Sequence, residues 1–431
     1  MRKENLISMV EDRKAELIDL VSRLIRINSE NPTGTQREVV DFVEKYLEKA
    51  GIAYEETGEN PDYPCVVARM GSEDGYSLIF NGHVDVVPAG DRGLWDFDPF
   101  CGTVTDSQIL GRGTSDMKAG VVANMFAARA LKAGVAGVLF AMALLKESNV
   151  CLKGNIRLHI VSDEESGGEY GSAWLCEHGY AKGANGCLVA EPTSMATIEI
   201  GQKGGMLLTI RAHGKAAHGS LGNYKGENAI LKMAKVLPLV EKLTRISGHF
   251  SDRQLKPLAD SKMIAEDKNE IPGLGSVIDH VTTNIGLIQG GTRHNMVPDC
   301  CEAVVDCRLP IGVSQDEIAA CVEEIRRESG VDGVDFELNY RSEPNFTDHE
   351  DPLVLAVKKN VEAFLGTQVV PAYQWASSDA RDYRRQGIPT IQFGPSNTVG
   401  IHSYNETVEI EDVVTAAKAY VAAVCDLMGI E

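Results

Sequence analysis

The sequence predicts an α/β fold: a large lobe on a mostly parallel sheet, with a smaller α+β lobe inserted into it. Short apolar runs at residues 65–68, 77–81, 155–161 and 186–190 alternate with helical stretches at 118–147 and near 169–179, the pattern of strands joined by crossover helices. From about residue 204 the texture becomes four strand-like segments and two helices, and the α/β alternation resumes after Pro344. At 431 residues, 43% of them hydrophobic and 24% charged, the chain can bury a core in each lobe, which excludes a disordered chain or a small stapled scaffold.

Each element follows from a local pattern. Leu17, Leu20, Val21 and Leu24 recur at helical spacing, and Val39, Val40, Val43 and Leu47 repeat it after Asn31-Pro32-Thr33-Gly34, so two amphipathic helices open the fold over residues 5–50. Residues 204–343 form the inserted lobe: strands at 206–212, 282–287, 301–308 and 335–340 with helices at 227–243 and 314–328 predict an antiparallel, ferredoxin-like sheet with both helices on one face. Within it, residues 244–281 are rich in Ser, Asp, Lys, Pro and Gly and read as a long loop. The large lobe is then residues 1–203 and 344–431, the second part carrying a helix at 352–365, a strand at 390–393 and a closing helix at 411–428.

One irregularity interrupts this plan. Residues 118–131, KAGVVANMFAARAL, align with residues 132–145, KAGVAGVLFAMALL, and seven of the fourteen pairs are identical. A continuous helix through both copies would run roughly 43 Å, longer than a small domain is wide. The repeat therefore predicts one copy against the sheet and the other projecting or folded back, with Gly134 and Gly137 as the weakest place for a break.

Charge and cysteine usage narrow the partners. Lys and Arg number 42 against 62 Asp and Glu, a net charge of −20 that repels a polyphosphate backbone and excludes nucleic acid as a partner. The longest apolar run, residues 135–145, is eleven long, short of a membrane span, and the basic start has no apolar segment behind it. Ten cysteines without a CxxC pair read as reduced thiols of a cytoplasmic protein and argue against cysteine ligation of zinc.

Five islands place acids or imidazoles beyond strand-like segments, where open α/β sheets carry their sites. They are Gly82-His83-Val84-Asp85, Gly111-Arg112-Gly113-Thr114-Ser115-Asp116, Ser162-Asp163-Glu164-Glu165, Ala190-Glu191-Pro192-Thr193 and Ile401-His402-Ser403-Tyr404-Asn405-Glu406. Singly each reads as a surface pair or a turn; together, two histidines and several carboxylates make a ligand set for divalent ions of the zinc type. The constellation resembles the dinuclear zinc amidohydrolase and peptidase family of aminoacylase, acetylornithine deacetylase, succinyl-diaminopimelate desuccinylase and carboxypeptidase G, with every island in order from about residue 15 to 425.

That resemblance implies two divalent metal ions per subunit, zinc with cobalt or manganese as alternatives. His83, Asp116 and Glu191 would hold one and Asp116, Glu165 and His402 the other, with Asp116 bridging. Asp85 is similar to the family's aspartate that orients the His83 ring. Glu164 looks like the general base, which deprotonates water as a metal-bound hydroxide attacks the amide and then hands the proton to the leaving amine; spacing alone leaves Glu164 and Glu165 interchangeable. His218, in Gly214-Lys215-Ala216-Ala217-His218, resembles a histidine that stabilises the oxyanion in the partner subunit's site, which implies a homodimer through the inserted lobe. Asn295 and Arg308 match substrate-contacting positions, Arg308 as the fork for a carboxylate. Gly394 with Pro395, and Asp379-Ala380-Arg381, resemble pocket-lining segments.

The function implied is removal of an N-acyl group, acetyl or succinyl, from an amino acid. Glu at position 191 is the deacylase pattern, whereas carboxypeptidase and dipeptidase branches often place Asp there. A metallo-dipeptidase or carboxypeptidase is the alternative within hydrolases. A non-catalytic binding protein would have lost Glu164 or a ligand, and none is lost.

Overall fold

Tyr76–His83 is the central strand of the first unit, buried along all but its first residue because helices pack over it, among them Lys118–Leu144 and Ile410–Met428. It runs parallel to Gly154–Val161 on one side and to Gly186–Val189 on the other, and Thr390–Gln392 adds a further parallel strand to Gly186–Val189. Cys65–Gly71 and Tyr54–Thr57 extend the sheet antiparallel beyond Gly154–Val161. A parallel centre with antiparallel margins results, and the islands at His83, Glu164–Glu165 and Glu191 lie at or just beyond the ends of its parallel strands.

The computed structural model describes residues 2–32, 34–144, 154–398 and 400–430, without the side chains of residues 132–144 and 223. Two compact units divide the chain: residues 1–200, 347–371 and 378–431, and residues 201–346 with 372–377. The second unit thus begins and ends within three residues of 204–343 and also takes in Ala372–Ser377.

Three helices rather than two open the chain, Lys3–Asp12, Lys14–Ile25 and Arg37–Lys49, because the helical path breaks at Arg13. The repeat also departs from expectation: Lys118–Leu144 is one helix of 27 residues, with no break at Gly134 or Gly137. The first copy lies against the sheet, with Ala119, Val121, Val122 and Met125 fully buried. Its Lys118 Nζ donates to the carbonyls of Leu24 (3.2 Å) and Ile27 (2.8 Å), and Asn124 Nδ2 donates to the Asn81 carbonyl at 3.0 Å. Gly120 is required there, since a Cβ would meet the Ala190 carbonyl oxygen at 2.1 Å. Because the helix is continuous through Leu144, the second copy does not fold back on the first; its side chains, and residue 145 altogether, lie outside the described residues.

In the second unit four antiparallel strands follow the order Thr282–Gly290, Cys300–Leu309, Gly204–His213, Val334–Ser342. Alternate residues of Cys300–Leu309 turn inward and join Met233 and Val236 of helix Ala229–Val236 and Ile318, Val322 and Ile325 of helix Gln315–Ser329 in one core cluster. Both helices therefore cover the same face. Residues 227–243 are not one helix: the α-helix passes into a 3₁₀ stretch, Leu237–Arg245, where Pro238 cannot donate to the preceding turn.

The loop expected over 244–281 is a misreading. Helices Asp252–Asn269 and Ser276–Asp279 occupy it, the first opened by a capping box between Ser251 and Gln254. Its buried stripe is Gln254, Pro257, Ser261 and Ala265, small or polar residues at helical spacing, so the large apolar side chains that mark a helix in sequence are missing. Among the described residues, no helix is long and apolar enough to cross a membrane.

Candidate metal centre

The parallel strands bring His83, Glu164, Glu165 and Glu191 to one set of ends, the usual place for a site in such sheets. His83 is the last residue of its strand, Glu164 and Glu165 lie in the short 3₁₀ turn just beyond Gly154–Val161, and Glu191 lies just beyond Gly186–Val189. Asp116 precedes the long helix, and His402 stands in a loop with φ of 58°, a left-handed backbone that costs a non-glycine residue about 1–3 kcal/mol and that the surroundings must impose.

Asp116 sits between the two histidines. Its Oδ1 is 3.1 Å from His83 Nε2 and its Oδ2 is 3.0 Å from His402 Nε2. Glu191 Oε1 lies 3.9 Å from His83 Nε2, and Glu165 Oε1 lies 3.3 Å from His402 Nε2. Two donor groups result, His83–Asp116–Glu191 and Asp116–Glu165–His402, the atoms of each within 4.8 Å of one another. Imidazole nitrogens and carboxylate oxygens facing one centre in this number fit divalent ions of the zinc type.

The electrostatics say that this cluster needs positive charge. Burial pushes the Glu191 and Glu164 carboxyls well above the usual carboxylate range, and for Glu191 the neighbouring Asp116 adds to it. Burial opposes the charge of His83, yet hydrogen bonds to Asp116 and Asp85 outweigh it and hold the imidazole well above its ordinary value. Contacts with Asp116 and Glu165 raise His402 to about 10.

Comparison with known proteins fits this geometry. The model of peptidase family M20/M25/M40 matches residues 79–133 and 131–426, two stretches that meet where the repeat's copies join. The chain belongs to that family. It is 28% identical over 420 residues to a succinyl-diaminopimelate desuccinylase of Cereibacter sphaeroides, covering 95% of this chain and 98% of the relative. A probable succinyl-diaminopimelate desuccinylase of Staphylococcus epidermidis is 26% identical over 397 residues, covering 90% and 92%. An M20 family metallo-carboxypeptidase from Sulfolobus solfataricus has the same fold, with a TM-score of 0.75 at 18% identity over 96% of this chain and all of that one. This M20 family protein is a metal-dependent amide hydrolase.

Around the two donor groups of this family member stands a layer of buried polar residues. His83 Nδ1 faces the Asp85 carbonyl at 3.0 Å and its carboxylate Oδ1 at 3.4 Å, so the backbone oxygen makes the closer contact with the ring. Asp85 Oδ2 accepts from Asn31 Nδ2 at 2.8 Å and from the Glu165 amide at 3.1 Å, which links the two histidine sides of the site. Sequence reasoning missed Asn31, which reads there only as part of a chain break. It also passed over Glu406, fully buried, whose Oε1 accepts the amides of Ser115 (2.8 Å) and Asp116 (3.2 Å) while Oε2 takes a hydrogen bond from Arg112 at 2.7 Å. Arg112 in turn lies 5.0 Å above the Trp95 ring. Both Arg112 and Glu406 stand in the islands, but nothing in their spacing tells them from solvated charges.

The remaining expected residues divide between the units. Gly394 backs the site: a Cβ there would lie 2.3 Å from the Ala190 carbonyl oxygen and 2.7 Å from that of Glu191. Asp379 is buried and accepts from Ser172 Oγ at 2.8 Å, and Arg381 Nη2 donates to the Gly167 carbonyl at 2.6 Å, next to the turn that carries Glu164. In the second unit His218 is exposed, and the bridge between His218 and Met296 with the Gly219 amide on the Asn295 carbonyl (2.8 Å) brings His218 and Asn295 together. Arg308, 39% exposed at its side chain, donates through Nε to Asp306 Oδ2 at 3.0 Å.

Proposed function

We propose that the protein removes an N-acyl group, acetyl or succinyl, from an amino acid, using two divalent ions held by His83, Asp116 and Glu191 and by Asp116, Glu165 and His402. Zinc suits this donor set, with cobalt and manganese as substitutes. The observation that carries the reading is Asp116, which offers one oxygen to each donor group. Bound there, the ions would supply Lewis acidity toward an amide carbonyl and toward water. Glu164 takes the proton of the attacking water and returns it to the departing amine, a task suited to a carboxyl whose proton affinity burial has raised. Asp85 fixes the His83 ring, and Gly394 keeps the Glu191 backbone in place.

Substrate contacts come in this reading from Asn295 and Arg308, and the oxyanion contact from His218 of a second subunit. A homodimer is supported by the edge strand Thr282–Gly290, which exposes Ile285, Leu287 and Ile288 at 43%, 68% and 58%. Apolar side chains on an open sheet edge need a cover. The nine described cysteines are free thiols, which suits a cytoplasmic enzyme.

Deacylation is preferred to peptide hydrolysis because position 191 is Glu and because the desuccinylases match the chain nearly end to end. The second reading, a dipeptidase or carboxypeptidase, draws on the metallo-carboxypeptidase of the same fold. A panel of N-acetyl, N-succinyl and N-formyl amino acids beside dipeptides, assayed after zinc or cobalt loading, decides. Turnover of dipeptides with none of the N-acyl amino acids would reverse the preference.

A further inference from the structure

The second unit carries an open cavity of its own, about 580 Å³ and within the range of small-molecule sites, lined by Asn269, Leu274, Val277, Thr282, Arg308 and Trp375. Its walls are the two helices at Asp252–Asn269 and Ser276–Asp279 with the turn between them, the start of the strand Thr282–Gly290, and the segment Ala372–Ser377. Those walls are fixed. Buried Lys203 donates through Nζ to the carbonyls of Val277 (2.8 Å) and His280 (2.7 Å) and to Thr282 Oγ1 (3.2 Å), which ties the second helix to the strand. The Tyr373 amide donates to Ser261 Oγ at 2.7 Å, and Gln202 Nε2 to Ser377 Oγ at 3.1 Å, so the Trp375 segment is pinned from both sides.

The lining has two kinds of chemistry. Arg308, which lines the cavity, spends Nε on Asp306 at 3.0 Å, and a guanidinium has two further nitrogens with which to meet an anion. Trp375, 43% exposed, joins Leu274 and Val277 in an apolar wall, and among the described residues no acidic side chain lines the cavity. An ammonium group brought here would face Arg308 without a carboxylate partner. We propose that this cavity binds a carboxylate with a bulky apolar or aromatic body, the carboxylate on Arg308 and the body against Trp375, Leu274 and Val277. Resting on the deacylase reading above, it makes the substrate an N-acyl amino acid with a large uncharged side chain, and one ending in an ammonium group a poor ligand.

Three amide-free probes test this on the zinc-loaded full chain by titration calorimetry: 3-phenylpropanoate, propanoate and 6-aminohexanoate. The expected result is that 3-phenylpropanoate binds at least about tenfold more tightly than the other two. Trp375→Ala abolishes that preference, Trp375→Phe keeps most of it, and Arg308→Gln weakens all three. Equal affinities, or a preference that survives Trp375→Ala in a variant with an unchanged melting curve, would overturn the proposal; carboxylates bound on the metals would give that second pattern. Because none of the probes has an amide, aromatic preference without any N-acyl hydrolysis would leave the cavity assignment standing and sink only the deacylase reading.

Discussion

If Asp116 is to serve both donor groups it must be aimed, and aiming it falls to Glu406, which accepts from the amides of Ser115 and Asp116 and is itself fixed by Arg112. Glu406→Gln keeps the size but gives up the charge opposite buried Arg112, so metal affinity should fall about 10–100-fold, as for other residues that orient ligands. Competition with a chromogenic chelator measures it, and unchanged affinity would reduce Glu406 to packing. Glu164 should behave in the opposite way. Glu164→Ala keeps both metals while kcat drops by about 10²–10⁴. Loss of metal from that variant would mean that Glu164 and Glu165 have exchanged roles. The candidate ligands could be picked out in sequence because five islands together resembled one family's pattern, and the fold gathers His83, Asp116, Glu165, Glu191 and His402 into two donor groups. Glu406 could not be, because its partner Arg112 lies 294 residues away and only the fold shows that both are buried.

At the scale of elements the repeat gives the sharpest test. Deleting residues 119–132 joins Lys118 to Ala133 and puts Gly134 where Gly120 meets the Ala190 carbonyl, so the variant should fold, bind metal and turn over substrate. Val138 and Ala143 would replace Asn124 and Arg129, which removes the hydrogen bond to Asn81 and the ion pair with Glu16. Stability should fall by about 1–2 kcal/mol in urea unfolding. An unfolded or metal-free product would make the extra fourteen residues integral to the core. The central strands of both units and most of their amphipathic helices were readable from apolar runs and period, whereas Asp252–Asn269 was not, since its buried stripe holds no large apolar residue.

For the whole molecule, acid and association are the levers. His159 is fully buried and neutral, with Nδ1 2.9 Å from the Tyr383 hydroxyl; burial, helped by Arg157 and Arg69, pushes it down to about 3. An unfolded chain protonates this imidazole from about pH 6.5 downward while the folded one does not, so between pH 6.5 and about 3 stability is lost at about 1.4 kcal/mol per pH unit. His159→Gln should flatten that part of the pH profile, and an unchanged slope would assign the loss to other groups. If His218 acts in the partner's site, mixing His218→Ala with Glu164→Ala subunits should restore about a quarter of wild-type activity, because half of the dimers carry one intact site. Hybrids no more active than their parents would place His218 in its own subunit's site or outside catalysis.

The place of Thr390–Gln392 in the sheet has a consequence for biosynthesis. This strand lies between Gly186–Val189 and Thr197–Gln202, so until a ribosome has made it the sheet stays split. Of the two donor groups, His83, Asp116 and Glu191 exist as soon as residue 191 is made, while the other waits for His402. A nascent chain therefore offers at most one set of ligands during most of its synthesis, on an unfinished sheet with exposed strand edges. Such an intermediate is the stage at which chaperones have most to protect, and a chain terminated before residue 402 should never load its second ion.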